Sequence, residues 1–396
     1  MVSPSSAAMP DKRLFRILPC AFVISLAIGI VNLGMLFLIK GNYGAGPNAV
    51  GWFTALWAAA YFVGCVVFRP LARRIDASTS SILMCFGSAA FLAAQFAFPS
   101  LAAAFVLYSL YGLASALVWP RLMAWLVSGL EGHALSRASG TYSISWSVGM
   151  TLSPYIAGVL SERARALPIY VGAVLFVATG LFMLITRRLA PAPPAANASD
   201  AVAAVALAAT AAAKDFSTPL RYPAWLGLFV IYVLYSVLNN IFPLYAKDEL
   251  AMSESAIGLF LLIRAAAMAI GFWVIGRLRF WQFKPVYLPL VLVLTLLLEL
   301  AFALIRNPIG FCLGLIVEGA MQAFAYSLSI FYGASGSSDR DKRMSIHEAV
   351  LTAGQILGSI GGGAIYQGFS WPLVFVLAAA VTLLCAPVQL ALARKR

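Results

Sequence analysis

The sequence predicts an all-α integral membrane protein of twelve transmembrane helices in two pseudo-symmetric six-helix bundles. Three observations predict it. Of 396 residues, 62% are hydrophobic and 10% charged, whereas a soluble domain carries about 25% charged residues. Apolar runs of about 20 residues, the length that crosses a bilayer as a helix, recur twelve times along the chain. The first six of these runs also align with the last six at a nearly constant offset.

Bounded by charges, Pro or Gly, the first six spans fall near 17–39, 50–69, 79–98, 101–127, 139–160 and 168–186, and the second six near 223–246, 256–276, 285–305, 308–333, 345–367 and 371–392. This divides the chain into an N-terminal bundle (1–186), a linker (187–222) and a C-terminal bundle (223–396). Lys12, Arg13 and Arg16 precede a first apolar run that is too long for a signal peptide and lacks a cleavage site, so it reads as a retained span. The linker opens with Arg187-Arg188 and holds Pro191, Pro193 and Pro194, then an Ala-rich stretch over 195–213. Alanine drives insertion weakly and Asn197 and Asp200 interrupt its start. A linker, with or without a surface helix, is therefore expected rather than a thirteenth span.

The 27 Lys and Arg against 14 Asp and Glu give a formal charge of +13, a balance that in a soluble protein suggests nucleic acid. Their placement excludes that partner. Twenty of the 27 fall on the side of the termini and five on the other side, with Arg121 and Arg264 inside spans. Cytoplasmic loops are the ones enriched in Lys and Arg, so a multi-pass protein of the cytoplasmic membrane with both termini and linker in the cytoplasm is expected. Five scattered cysteines and two histidines offer no disulfide framework, CxxC pair or HExxH site, and no Walker loop is present. No metal, cofactor or enzymatic activity is expected, and lipid and a small-molecule solute are the partners. The chain is read as a monomer.

The internal repeat is the most specific signal. At an offset of 207, Asn32, Lys40, Gly51, Gly64 and Gly112 align with Asn239, Lys247, Gly258, Gly271 and Gly319; at 205, Gly149 and Gly158 align with Gly354 and Gly363. Two similar bundles can tilt about a central site and expose it to each side in turn.

Two local motifs add a family likeness. The connection Arg69-Pro70-Leu71-Ala72-Arg73-Arg74-Ile75-Asp76 resembles the GxLADRxGRR loop of the major facilitator superfamily, although Ala77-Ser78-Thr79-Ser80 replaces its basic tail. Span 5, from Gly140 through Gly149, Pro154 and Gly158, is similar to the Gly-rich fifth span of exporters in that superfamily, with Ser153 at a usual glycine. The resemblance covers essentially the whole chain. It implies alternating-access transport, a gating role for Arg69, Arg73 and Asp76, and a central cavity lined by spans 1, 4, 7 and 10 with spans 3, 6, 9 and 12 outside. The loop also reads as a topology anchor, and the small residues as simple helix packing.

Ionisable groups inside a bilayer usually face a cavity or a partner. Arg264 in span 8, Glu299 in span 9 and Glu318 in span 10 share one depth, about 22 Å from the cytoplasmic helix ends, so Arg264 can pair with either carboxylate. One reading is a structural ion pair between spans 8 and 9. The other makes Glu318 a proton carrier tuned by Arg264. Arg121, after Trp119-Pro120, is placed to bind an anionic group or to snorkel. Asn32 and Asn239, with Asn240, Tyr235 and Tyr245 nearby, suit a hydroxylated or amide-bearing solute, or interhelical hydrogen bonds. Trp57, Tyr61, Tyr142, Trp146 and Tyr326 are positioned to stack on a solute or to pack. His347-Glu348 read as the start of span 11, with Glu348 either a cytoplasmic gate or a helix-start carboxylate. Together these features point to a secondary active transporter of a small organic solute, proton-coupled and exporting. Uptake of a sugar or organic acid is the alternative, and a non-transporting membrane sensor the rival of another class.

Overall fold

The computed structural model of the protein describes residues 10–67, 74–127, 132–189, 217–337 and 340–394. Arg69, Arg73, Asp200 and the Ala-rich stretch lie outside them. The described chain is helical throughout. In the first half the helices are α1 (Pro10–Tyr43), α2 (Pro47–Val66), α3 (Ala77–Ala97), α4 in two pieces (Leu101–Ser115 and Trp119–Val127), α5 (Gly132–Arg163) and α6 (Leu167–Ile185). The second half holds α7 (Arg221–Asp248, with a π-helical turn at Val237–Ile241), α8 (Glu254–Arg277), α9 (Tyr287–Leu304), α10 (Pro308–Ala334), α11 (Arg340–Gly368) and α12 (Trp371–Arg394).

Local chemistry sets the helix starts. Ser100, Ser253 and Asn307 accept hydrogen bonds from the backbone N–H three residues on, of Ala103, Ala256 and Gly310, satisfying donors that the helix leaves open. Pro47, Pro168 and Pro308 occupy first turns, where the missing N–H has no partner to lose.

Ten of these helices are long and apolar enough to cross a membrane by length and composition. The two exceptions each have a local cause. In α4 the turn at 116–118 splits the helix just before Pro120, whose ring and absent N–H break an α-helical ladder. The α5 helix is a single run of 32 residues, but the Ser and Gly residues that let it pack closely also dilute its hydropathy.

The repeat is visible in the packing. A Cβ at Gly51 would lie 2.2 Å from the Ser359 carbonyl oxygen, and one at Gly258 would lie 2.3 Å from that of Pro154. Likewise Gly158 abuts the Glu254 carbonyl at 2.2 Å and Gly363 that of Pro47 at 2.4 Å. Each pair maps onto the other by the offsets of 207 and 205. Within the halves, Gly149 and Gly354 meet the carbonyls of Phe22 and Phe229, again equivalent positions. Glycine is needed at these places because backbone meets backbone with no room for a side chain.

All the described glycines that touch the other half do so at one end, the face away from the termini, where α2 meets α11 and α5 meets α8. Polar contacts close the same face. Lys40 pairs with Asp248, the Asn48 N–H donates to Gln367 Oε1 at 2.9 Å, and Glu162 Oε1 accepts from the Ser255 N–H and hydroxyl at 2.9 and 2.7 Å. The buried residues of α8 stop at Ala265. The two halves therefore meet at the face away from the termini and diverge toward the termini.

Candidate substrate and proton site

α1 and α7 are the most buried of the ten apolar spans. On α8, Arg264 reaches α10: its Nε donates to Glu318 Oε2 at 2.6 Å and its Nη2 to Gln322 Oε1 at 2.5 Å. Its guanidinium also lies 4.4 Å above the Tyr235 ring of α7. Arg264 is 3% exposed and Glu318 0%. The approach is possible because Gly319, beside Glu318, sets its α-carbon against the Arg264 carbonyl, where a Cβ would fall at 2.3 Å. One carboxylate oxygen, Glu318 Oε1, has no hydrogen-bond partner.

Of the two carboxylates at that depth, the structure pairs Arg264 with Glu318. The expected alternative of an ion pair between spans 8 and 9 is not formed. Glu299 points from α9 toward α12 and accepts from the Thr382 hydroxyl at 2.8 Å. The equivalents of Arg264 and Glu318 in the first half are Trp57 and Tyr111, with ring centroids 6.3 Å apart. One half thus holds an ion pair where the other holds aromatic rings.

The amides are half-buried, and each bonds within its own half. Asn32 accepts from the Tyr108 hydroxyl at 3.0 Å. Asn239 and Asn240 sit in the π-helical turn of α7, an insertion that re-aims side chains and is frequent at functional sites. Asn239 donates to Asn240 Oδ1 at 3.0 Å, and Asn240 donates to Ser359 Oγ at 2.9 Å. The Thr54 hydroxyl from α2 donates to the same Ser359 oxygen at 3.0 Å. This chain of short polar groups joins the halves just below the closed face. Gln322, Thr54 and Ser359 were not legible as site residues, although Gln322 follows Glu318 by one helical turn on the same face.

Tyr61 stacks on Trp57 at 5.6 Å, and Tyr326 meets the His347 ring edge-on at 4.6 Å. His347 is turned away, bonding Ser329 Oγ at 2.7 Å. Glu348 is not at a helix start, because α11 begins at Arg340 and the charged run 340–343 is already helical. The helix-start role therefore falls away. Glu348 is exposed.

Other expected residues sit elsewhere. Arg121 bonds the Ile75 carbonyl of the α2–α3 connection, a contact outside the cluster of Arg264, Glu318 and Tyr235. Tyr142 is 5% exposed, with its hydroxyl unpartnered, and Trp146 packs near Trp119 at 6.5 Å. Asp76 caps α3, accepting from the Thr79 N–H at 2.9 Å and hydroxyl at 2.6 Å, and pairs with Arg187 of its own half at 3.5 Å. Burial pushes the Asp76 carboxyl up, but the Thr79 bonds and Arg187 outweigh it and hold the group below the ordinary carboxylate range. Its cap is therefore intact at neutral pH and lost only as pH falls through that lowered value.

The fold is shared with solved transporters. A POT family transporter in complex with a thioalcohol-conjugated peptide superposes with a TM-score of 0.76 at 12% identity, covering 96% of this chain and 95% of that one. The nucleoside transporter NupG (D323A mutant) gives 0.74 at 15% identity, covering 96% and 99%. A bacterial homolog of the human lysosomal transporter Spinster, inward-facing and unoccupied, gives 0.74 at 14%, covering 98% of each. No curated protein sequence matches the chain. The sequence itself matches the profile of the Major Facilitator Superfamily over residues 17–329 and again over 224–396. Twelve helices, the two-half packing and that match agree: the chain is a membrane transporter belonging to the Major Facilitator Superfamily.

Proposed function

We propose that the protein is a secondary active transporter that moves a small organic solute across the cytoplasmic membrane by alternating access, with protons as the coupling ion. The observation that supports it most is the buried Arg264–Glu318–Gln322 cluster, which leaves one carboxylate oxygen unpartnered between α8 and α10. A proton and an arginine compete for the same carboxylate there, which is what a coupling site requires. In this reading Glu318 carries the proton and Arg264 sets its affinity. The solute binds between the aromatic wall of Trp57, Tyr61 and Tyr326 and the polar wall of Tyr235, Asn239 and Asn240. The bundles of 1–186 and 223–396 rock about that site, with Arg69, Arg73 and Asp76 guarding the cytoplasmic side. The Gly-rich α5 favours export, and Lys and Arg at the termini favour cytoplasmic ends.

Reconstituted protein tests this directly. Solute accumulation that follows an imposed pH gradient is expected, at about tenfold per unit of gradient for one proton per solute. Uptake indifferent to the gradient would exclude protons as the coupling ion. Orientation has its own test. Single cysteines at Arg340 and Asp200 are expected to resist an impermeant thiol reagent on intact cells, whereas cysteines at Arg163 and Glu249 label. The reverse pattern would invert the topology.

A further inference from the structure

The connection between α8 and α9 carries charge that no described residue neutralises. Residues 255–298 contain no Asp or Glu, yet Arg277, Arg279 and Lys284 follow one another closely there. Among the described residues no carboxylate lies within ion-pair distance of any of the three. Lys40, Lys247 and Arg187, by contrast, each have a carboxylate partner. The three cations are exposed on the side of the termini. The positive end of α9, which has no acidic residue in its first turn and no capping side chain, adds to them.

The connection has a fixed shape. Trp281 is buried, edge-on to Phe331 of α10 at 5.1 Å. Its indole N–H donates to the Ile275 carbonyl, and the Tyr332 hydroxyl donates to the Trp281 carbonyl, each at 3.3 Å. Around that anchor Phe283 adopts a left-handed backbone, φ 57°, which a bulky residue rarely takes. Its ring and that of Phe280 remain exposed. Exposed aromatic rings of this kind sit at the headgroup level of a membrane. Arg277 folds back on Trp273: its guanidinium lies 3.8 Å above the ring and donates to the Trp273 carbonyl at 3.2 Å. Ile270 and Trp273 are exposed, on the side of α8 away from Met268 and Gly271, which pack on α10. That side of α8 therefore faces the acyl chains.

We infer that the α8–α9 connection is a binding site for an anionic phospholipid, its phosphate held by Arg277, Arg279 and Lys284 and an acyl chain lying on Ile270 and Trp273. Guanidinium groups bind phosphate bidentately, and the leaflet that faces cytoplasmic loops is the anionic one. A zwitterionic lipid offers the same phosphate together with a cation that these three side chains repel. A free phosphate reaches the same cations but gains nothing from the apolar face beneath them. The inference rests on the cytoplasmic placement of the termini proposed above, and not on the solute or its coupling.

Trp273 provides the readout. The full chain is placed in phosphatidylcholine nanodiscs containing a rising fraction of acyl-brominated phosphatidylglycerol or, separately, acyl-brominated phosphatidylcholine. The fluorescence that Trp273→Phe removes is then followed. Half-quenching is expected at an at least about fivefold lower fraction of the glycerol lipid. Arg277→Gln, Arg279→Gln and Lys284→Gln together are expected to erase that difference, and Arg277→Lys with Arg279→Lys, which keep the charge, to retain most of it. Lys12→Gln, Arg188→Gln and Lys214→Gln together remove equal charge elsewhere and should leave it unchanged. Equal quenching by the two lipids, a difference that survives the first set of Gln changes, or its loss in the distant set would each overturn the inference. So would the absence of quenching by either lipid, the result if a second copy covers the face. Inorganic phosphate added at constant ionic strength is expected to change nothing; if it abolishes the difference, the cations hold a free oxyanion and the lipid assignment fails. Both leaflets of a nanodisc have one composition, so an inverted topology leaves this measurement unaffected and is detected by the cysteine labelling above.

Discussion

Replacing Glu318 by glutamine is expected to abolish gradient-driven accumulation while leaving exchange of solute between the two sides. Glutamine imitates the protonated carboxyl permanently and keeps the shape of the side chain. Arg264 retains an acceptor on the amide oxygen and Gln322 beside it, so the α8–α10 contact is preserved while the charge change is lost. Under a one-unit pH gradient the accumulation ratio should fall from about tenfold to unity. Glu299→Gln is the control, since Glu299 bonds Thr382 between α9 and α12, away from the Arg264 cluster. That change should alter thermal stability more than coupling. If Glu299→Gln removes the pH dependence and Glu318→Gln does not, the roles of the two carboxylates are exchanged; if neither does, coupling does not pass through these groups.

The second large effect is expected at the closed face. Gly258→Val would place a Cβ 2.3 Å from the Pro154 carbonyl, and Gly51→Val would do the same at 2.2 Å from Ser359. Neither obstacle is a flexible side-chain end. Both are backbone, so the halves must separate to make room. Overpacking of this kind costs about 1–3 kcal/mol, which shifts a two-state equilibrium by roughly 5- to 150-fold. Only the conformation closed at this face contains the contact, so the penalty falls on that state alone. The substituted proteins should insert normally, turn over solute at least about fivefold more slowly, and open the face away from the termini. A cysteine at Ala58, which is 5% exposed and one helical turn deeper than Thr54, reports that opening. In a background without the native cysteines it should label faster from outside in the Gly258→Val protein. Unchanged labelling and unchanged transport together would mean that these glycines serve packing and not closure.

The symmetric placement of these contacts also explains why the repeat survives in the sequence at glycines more than elsewhere. Gly51 and Gly258, Gly158 and Gly363, and Gly112 and Gly319 each meet an equivalent carbonyl in the two halves. Other positions have diverged instead: in the repeat Trp57 corresponds to Arg264, Tyr111 to Glu318 and Ser143 to Glu348. Backbone approach tolerates one residue type, whereas a binding surface gains from having two different walls. The first half thus carries rings at Trp57 and Tyr111 where the second carries Arg264 and Glu318.

The amino-acid sequence by itself determined the helices, their order and the repeat, because a bilayer demands about 20 apolar residues per span and leaves few other solutions. It placed Arg264, Glu299 and Glu318 at one depth for the same reason, since rise along a helix is a matter of counting. What the sequence did not contain was direction around each helix axis. Only the tertiary structure decided that Arg264 turns to Glu318 and that Glu299 turns to Thr382. It also decided that Arg121 reaches the Ile75 carbonyl, and that Asn239 and Asn240 bond each other in a π-helical turn. Glu348 shows the difference most clearly. Counting along the chain set it at the start of span 11, whereas α11 begins at Arg340, about two helical turns earlier. The neighbours of a side chain inside a bundle are set by how helices from distant parts of the chain pack, and no spacing along one helix records that.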